Sequence, residues 1–260
     1  MASKELIHTP WYLNATWKAY LSVYYRFESG ALTTDSSGNG NTLTAISDPS
    51  EDGNGAFGGA VYFDTDDAYS RADDVHFKPT GDFTVGCWLK TTTVSAVLFQ
   101  SYSQNTAVAG WRIRVQSSGG IALYSGKNTG TTVGTDFQAV ATGALNDGTW
   151  HFVVSTWDGS NLNISADGSD FLSVAWANAP VYAATNYIRV GCGNETGANK
   201  AFSNASLDEV FILKGVAMTQ NQVKKIYETS VKSFNGLSVE SIKSINEVDM
   251  VDIFKINGLQ

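Results

Sequence analysis

The chain predicts an all-β fold of sandwich or barrel type closed by one short helix, and three observations carry that prediction. Three Asp-Gly pairs, Asp147-Gly148, Asp158-Gly159 and Asp167-Gly168, punctuate strand-length runs. Asp and Gly tolerate the positive-φ positions of tight connections, so such pairs end strands. Apolar residues alternate with polar ones at period two, the signature of a strand with one face on a core. With 260 residues, 43% of them hydrophobic, and 25 glycines against 4 prolines, the chain can bury a substantial core and turn often, as single all-β domains of this length do.

Residues 1–20 carry Trp11, Tyr12, Trp17 and Tyr20 among polar residues without a clean period, and read as an N-terminal arm or a first strand with its lead-in. Leu21 to Phe27 is strongly β. Asp35-Ser36-Ser37-Gly38-Asn39-Gly40-Asn41 is a loop by its turn chemistry, followed by a strand from Thr42 to Ile46. Gly58 to Phe63 is the next strand, and Asp64 to Asp67 an acidic turn. In Phe83 to Lys90, Phe83, Val85, Cys87 and Leu89 alternate with Thr84, Gly86, Trp88 and Lys90, so one side faces a core. Trp111 to Val115 and Ile121 to Tyr124 repeat that pattern around a turn at Ser117 to Gly120. Trp150 to Trp157 and Leu162 to Ala166 fill the gaps between the Asp-Gly pairs, and two further strands fall at Tyr187 to Gly191 and Leu207 to Leu213.

One helix is signalled after them. Thr219 as N-cap with Gln222 three residues on forms a capping box, with Met218 and Val223 placed for a hydrophobic staple. Val223, Ile226 and Tyr227 would face the sheet, and the helix would close the domain near Glu228.

Composition excludes several classes. A net charge of −8, with no basic stripe in the sequence, works against binding to the phosphate lattice of nucleic acid. The start lacks the charged and apolar parts of a secretory signal, and no run approaches the ~20 apolar residues of a membrane span, so synthesis in the cytoplasm without membrane attachment is expected. Cys87 and Cys192 lie far apart, each in a strand-like run, and read as buried free thiols in preference to a disulfide.

Residues 229–260 differ in kind. Ser233-Phe234-Asn235-Gly236-Leu237 recurs from Ser244 and again from Lys255, each time 11 residues on. A short repeat needs stacked neighbours to bury its apolar face, so this tail is read as an assembly element; a solvated extension is the alternative.

Several segments together resemble one family. Tyr25-Arg26-Phe27-Glu28 leads to the Asp35–Asn41 loop; Gly59 to Asp64 and Asp82 to Trp88 follow, then Leu145 to Val153 and Leu207-Asp208-Glu209-Val210. In this order they resemble the laminin G-like, concanavalin A-like lectin/glucanase domains over residues 21–228. The resemblance implies a jelly-roll sandwich of two curved antiparallel sheets that binds glycans or proteins. It also implies a structural calcium, held here by Asp35, Asn39, Asn41 and Asp208, since calcium takes 6 to 8 oxygen ligands from carboxylates, amides and carbonyls. The alternative is that Asp35 caps its own loop and Asp208 bonds to backbone. The tail resembles short Ile-Lys-x-Ile-Asn-Gly repeats at the ends of bacteriophage virion proteins, although Glu247 stands where a glycine is usual.

Catalytic constellations are weak. Glucanases of the superfamily use paired carboxylates on one strand, and the nearest approach, Glu247 to Asp252, sits in the tail and reads as a solvated face. No Ser or Cys elbow or Walker spacing appears. Trp88, Trp111, Trp150, Trp157 and Trp176 could stack sugars, core packing being the alternative for most, with Trp176 the best placed for exposure. The expectation is a non-enzymatic structural or adhesion protein of a phage particle, a decoration, fibre or tail accessory protein. Its tail would meet other virion proteins and its sandwich a host-surface glycan or protein. A free or cell-surface lectin is the alternative, and a glycoside hydrolase a further one.

Overall fold

The computed structural model of the protein describes residues 15–103, 109–127, 137–183, 186–194 and 198–234. The arm before residue 15, and the repeats after residue 234 with the Glu247–Asp252 run, lie outside them. After a single helical turn, α1 (Ala15–Lys18), the chain enters a sandwich of two antiparallel sheets. The seventeen strands are β1 (Leu21–Tyr25), β2 (Thr44–Ile46), β3 (Ser50–Asp52), β4 (Ala60–Phe63), β5 (Ala68–Arg71), β6 (Phe83–Thr91), β7 (Val97–Ser103), β8 (Ala109–Val115) and β9 (Gly120–Lys127), then β10 (Phe137–Ala144), β11 (Trp150–Trp157), β12 (Asn161–Ala166), β13 (Leu172–Ala175), β14 (Tyr187–Val190), β15 (Gly193–Asn194), β16 (Asn199–Lys200) and β17 (Ala205–Lys214). One sheet runs β13-β12-β11-β6-β17-β4-β3, with β1 also paired to β17; the other runs β10-β9-β8-β7-β14-β5-β2. β15 and β16 form a separate small ribbon.

The predicted turns are where the sequence puts them. Gly148, Gly159 and Gly168 all have positive φ, and His151 pairs with Leu89 while Val153 pairs with Ala166, so β11 sits between β6 and β12. Inward residues of both sheets, among them Val85, Leu89, Phe99, Trp111, Ile113 and Val190, make the main core. Each such side chain contributes about 1.5–3 kcal/mol by leaving water.

A second apolar layer covers the outer face of the eight-stranded sheet. The other side of β6 is not solvated as simple alternation suggests: Trp88 joins Phe152, Val154 and Phe211 beneath the C-terminal helix α2 (Gln220–Phe234). The capping box forms as predicted, with Gln222 Oε1 accepting from Thr219 N at 2.8 Å and Thr219 Oγ1 from Gln222 N at 3.4 Å. Met218, Val223 and Ile226 are buried in this layer, and Tyr227 stacks on Trp88 at 6.2 Å. The helix continues six residues beyond the predicted end at Glu228, so Ser233 and Phe234 of the first repeat copy are helical. Trp17 of α1 is buried in the same layer, so the end of the N-terminal segment docks on the sandwich. Both cysteines are buried and free, and burial pushes each thiol up to about 12.

Candidate functional site

A glycine-rich hairpin loop, residues 53–59 between β3 and β4, stands over the edge of the second apolar layer. Ala56 and Phe57 pack downward into it, Phe57 edge-on to Trp88 at 5.6 Å. The rest of the loop is pinned through its backbone. Gly55 N donates to Gly58 O at 3.1 Å, Asp208 accepts from Phe57 N at 2.8 Å, and Glu28 accepts from Gly59 N at 3.2 Å. The glycines are needed for this close approach: a Cβ on Gly55 would lie 2.2 Å from the carbonyl oxygen of Gly59.

Opposite the loop lie Lys90 and the Gly148–Trp150 turn, and together they enclose a cleft of about 760 Å³. The Trp150 indole N–H donates to Asn54 O at 3.1 Å and ties the two walls. Lys90 Nζ sits 5.0 Å from the Trp150 ring and 2.8 Å from Asp52 Oδ2, which also accepts from Ser206 Oγ at 2.7 Å. Desolvation raises the Asp52 pKa, but the bonds from Lys90, Ser206 and Asn54 N outweigh it and hold the carboxyl below the ordinary range.

The Thr149 wall is braced from behind. Asp147 accepts from Thr149 N and Oγ1 at 2.8 and 2.7 Å, and these bonds hold its carboxyl down to about 2. His151 lies between two carboxylates, with Nδ1 2.7 Å from Asp167 and Nε2 3.1 Å from Asp147. The Asp167 bond raises the His151 pKa against the opposing effect of burial. The His151 ring is therefore a strut between two turns.

Beneath the loop, a bulge in β17 between Asp208 and Phe211 puts two acids side by side. Both are fully buried, and Glu209 has φ 51°. Burial, reinforced by the neighbouring Glu209, drives the Asp208 pKa well up. Tyr24 donates its hydroxyl to Glu209, and Arg26 Nε lies 3.8 Å from that carboxylate. Neither acid reaches solvent, so neither is positioned to meet a substrate.

The four residues expected to hold calcium divide between two places. Asp35 accepts from Tyr24 N, Ser37 N, Ser37 Oγ, Asn41 N and Asn41 Nδ2, all between 2.8 and 3.1 Å. Asn39 Nδ2 donates to the carbonyls of Leu21 and Ser22 at 3.2 and 3.0 Å. Asp35, Asn39 and Asn41 thus staple their loop to β1, while Asp208 holds Phe57 in the loop above the cleft. Five donors already fill the carboxylate of Asp35, so this loop does not fit a calcium ion, whose ligands must be oxygen acceptors. The capping alternative is the geometry found. In the acidic turn, the carboxylates of Asp64, Asp66 and Asp67 lie within 4.8 Å of one another, and there Asp67 accepts from the backbone of Asp48 and Asp64.

Of the five tryptophans, Trp88, Trp111 and Trp157 are buried, and Trp176, predicted to be the most exposed, packs against the main core while its carbonyl accepts from Trp157 Nε1 at 2.8 Å. Among the described residues, Trp150 lines the cleft. The loop 53–59 was missed as a site element, although Gly53-Asn54-Gly55 and Gly58-Gly59 are visible as a signal of close backbone approach.

Comparison with known proteins agrees with this fold. A family model described as concanavalin A-like lectin/glucanases superfamily matches residues 63–224. No curated protein matches the sequence. Among solved structures, the binding domain of Paraclostridial Mosquitocidal Protein 1 is similar at 14% identity and a TM-score of 0.63, over 81% of this chain and 52% of that one. The binding domain of Botulinum neurotoxin DC, solved with rat synaptotagmin II, is similar at 10% identity and 0.61, over 82% and 52%. Domain 4 of AbnA, a GH43 extracellular arabinanase from Geobacillus stearothermophilus solved with arabinotriose, is similar at 16% identity and 0.60, over 80% and 98%. The chain thus spans about half the length of the toxin chains and nearly all of the arabinanase domain.

Proposed function

We propose that this chain, which belongs to the concanavalin A-like lectin/glucanases superfamily, is a non-catalytic binding module whose cleft at Trp150 takes a saccharide. The cleft itself carries the reading. An indole, a lysine already neutralised by Asp52, the Thr149 hydroxyl and the backbone of a glycine loop suit a neutral ligand with alternating apolar and hydroxyl faces. The acids around the cleft are engaged, Asp52 with Lys90, Asp147 with Thr149, Asp208 with Phe57 N and Glu28 with Gly59 N, which favours binding over hydrolysis. Two of the similar structures are binding domains of toxins and one is an arabinanase domain solved with a sugar, which supports a recognition role.

The wider setting we propose is a phage particle, where residues 229–260 anchor the module to other virion proteins and the sandwich meets a host-surface glycan. The 11-residue repeat in those residues supports that placement.

The site is tested with the full chain on an array of neutral oligosaccharides that includes arabinotriose. Wild type is expected to bind at least one, and Trp150→Ala to lose at least tenfold in affinity while keeping its circular dichroism spectrum. No binding by wild type, or undiminished binding by the variant, would reject the cleft. Truncation after Phe234 should leave a folded module that fails to enter particles; normal incorporation would reject the anchoring role.

A further inference from the structure

The outer face of the seven-stranded sheet carries two half-buried arginines, Arg114 and Arg189, on either side of the buried Arg112 and Gln100, whose Nε2 donates to Asn194 O at 2.8 Å. On β8, Trp111, Ile113 and Val115 point into the main core, so Arg112 and Arg114 lie on the opposite face. The register sets Arg112 beside Tyr124 of β9 on one side and Gln100 of β7 on the other, and Gln100 beside Arg189 of β14. Tyr124, Arg112, Gln100 and Arg189 therefore form one row over four adjacent strands, each step about 4.8 Å. The Arg112 guanidinium carbon lies 4.5 Å from the Tyr102 ring and 5.0 Å from the Tyr124 ring, and that of Arg114 lies 6.0 Å from Tyr124.

The two half-buried arginines of this face differ from most other cations of the molecule in their compensation. Arg26, Arg71, Lys78 and Lys90 each lie within 3.4 Å of a carboxylate, as the net charge of −8 favours. Arg114 and Arg189 have no carboxylate partner among the described residues. Arg114 Nε is buried without a hydrogen bond. Arg189 is half-buried, held by Asn199 Oδ1 at 2.9 Å and the Ile188 carbonyl at 2.8 Å, and burial lowers its pKa. Withdrawing a guanidinium from water without an opposite charge is unfavourable, and a bound anion removes that penalty.

We propose that this face is a second binding site, separate from the Trp150 cleft on the other sheet, and that it takes the carboxylate or sulfate of an acidic saccharide. A guanidinium matches either oxyanion in a two-pronged geometry. Tyr187, half-buried and two residues from Arg189 on the same face of β14, adds an aromatic side chain of the kind that meets the apolar side of a sugar. Arg114 and Arg189, two arginines on a strongly acidic chain, suit one or two localised anions better than a continuous phosphate backbone.

The test measures binding of the full chain to heparin, polygalacturonate and uncharged dextran at low salt, with poly-glutamate and oligothymidylate as non-sugar polyanions. Wild type should bind heparin or polygalacturonate at least tenfold more tightly than dextran, poly-glutamate or oligothymidylate. The Arg114→Gln/Arg189→Gln variant should lose that binding at least tenfold with an unchanged melting temperature, and Trp150→Ala should keep it. If the glutamine variant does not fold, Arg114→Lys/Arg189→Lys keeps the charge but not the forked geometry and should still weaken binding severalfold. Failure of wild type to bind either acidic polysaccharide, equal binding of a non-sugar polyanion, or undiminished binding by the folded variant would overturn the site. Loss by Trp150→Ala alone would instead assign the acidic saccharide to the cleft.

Discussion

Two alanine substitutions in one loop separate backbone packing from composition. Gly55 and Gly53 are two residues apart and both line the cleft, but a Cβ on Gly55 would lie 2.2 Å from Gly59 O and 2.5 Å from Gly59 C, whereas a Cβ on Gly53 meets nothing within 4 Å. The atoms struck by Gly55→Ala are backbone, held by Glu28 at Gly59 N and by Asp208 at Phe57 N, so they cannot swing aside like a side-chain tip. Overpacking against fixed atoms costs about 1–3 kcal/mol. At roughly 2–4 °C per kcal/mol for a domain of this size, Gly55→Ala should melt about 2–12 °C below wild type. Gly53→Ala should be neutral, or gain up to about 1 kcal/mol by restricting the unfolded chain. Urea unfolding followed by tryptophan fluorescence measures both free energies, and calorimetry the melting temperatures. If the two variants unfold together, the loop is not pinned as described and the cleft wall is not rigid.

Three other outcomes follow from the same geometry. The folded pKa of His151 lies above its unfolded value of about 6.5, so its stabilisation is complete below that pH and is lost as pH rises through the folded value. Wild type should therefore melt above His151→Gln at acidic pH, with the gap narrowing as pH rises; a gap that widens with pH would contradict the strut between Asp147 and Asp167. Calcium or a chelator should leave the melting temperature unchanged, because Asp35 is saturated by donors; a rise of several degrees with calcium would show that a cation reorganises this loop. Cys87 and Cys192, with pKa values near 12 and no exposure, should react with a thiol reagent only at the rate of unfolding, and fast labelling of the native protein would contradict their burial.

Local chemistry made parts of the fold legible. The capping box at Thr219 and the Asp-Gly turns depend on contacts three or four residues apart, so the sequence holds both partners within one window. Val97–Ser103 was not recognised as a strand because it is buried along its whole length, Gln100 and Ser101 included, and shows no alternation. The second apolar layer is half legible: Val223, Ile226 and Tyr227 face the sheet as their spacing predicts, but Trp88, on the side of β6 that alternation leaves to solvent, is covered by that helix more than a hundred residues later. Site residues failed in the same way. Trp176, beside Asn178 and Pro180, is half-buried against the main core and lines no described cleft, whereas Trp150, also half-buried, gains its role from Asn54, distant in sequence. Arg189 stands far from Arg112 and Arg114 along the chain, and only strand order brings the three onto one face.

The place of β17 in the larger sheet has a consequence for biosynthesis. It hydrogen-bonds along β6 on one side and along β1 and β4 on the other, so it joins strands made well before it to one another. Until Lys214 has left the ribosome, β6, β1 and β4 each have a bare edge, a state prone to mispairing. The larger sheet cannot close until this strand slots into the gap, whereas the β10-β9-β8-β7-β14-β5-β2 sheet, which lacks it, needs no such wait.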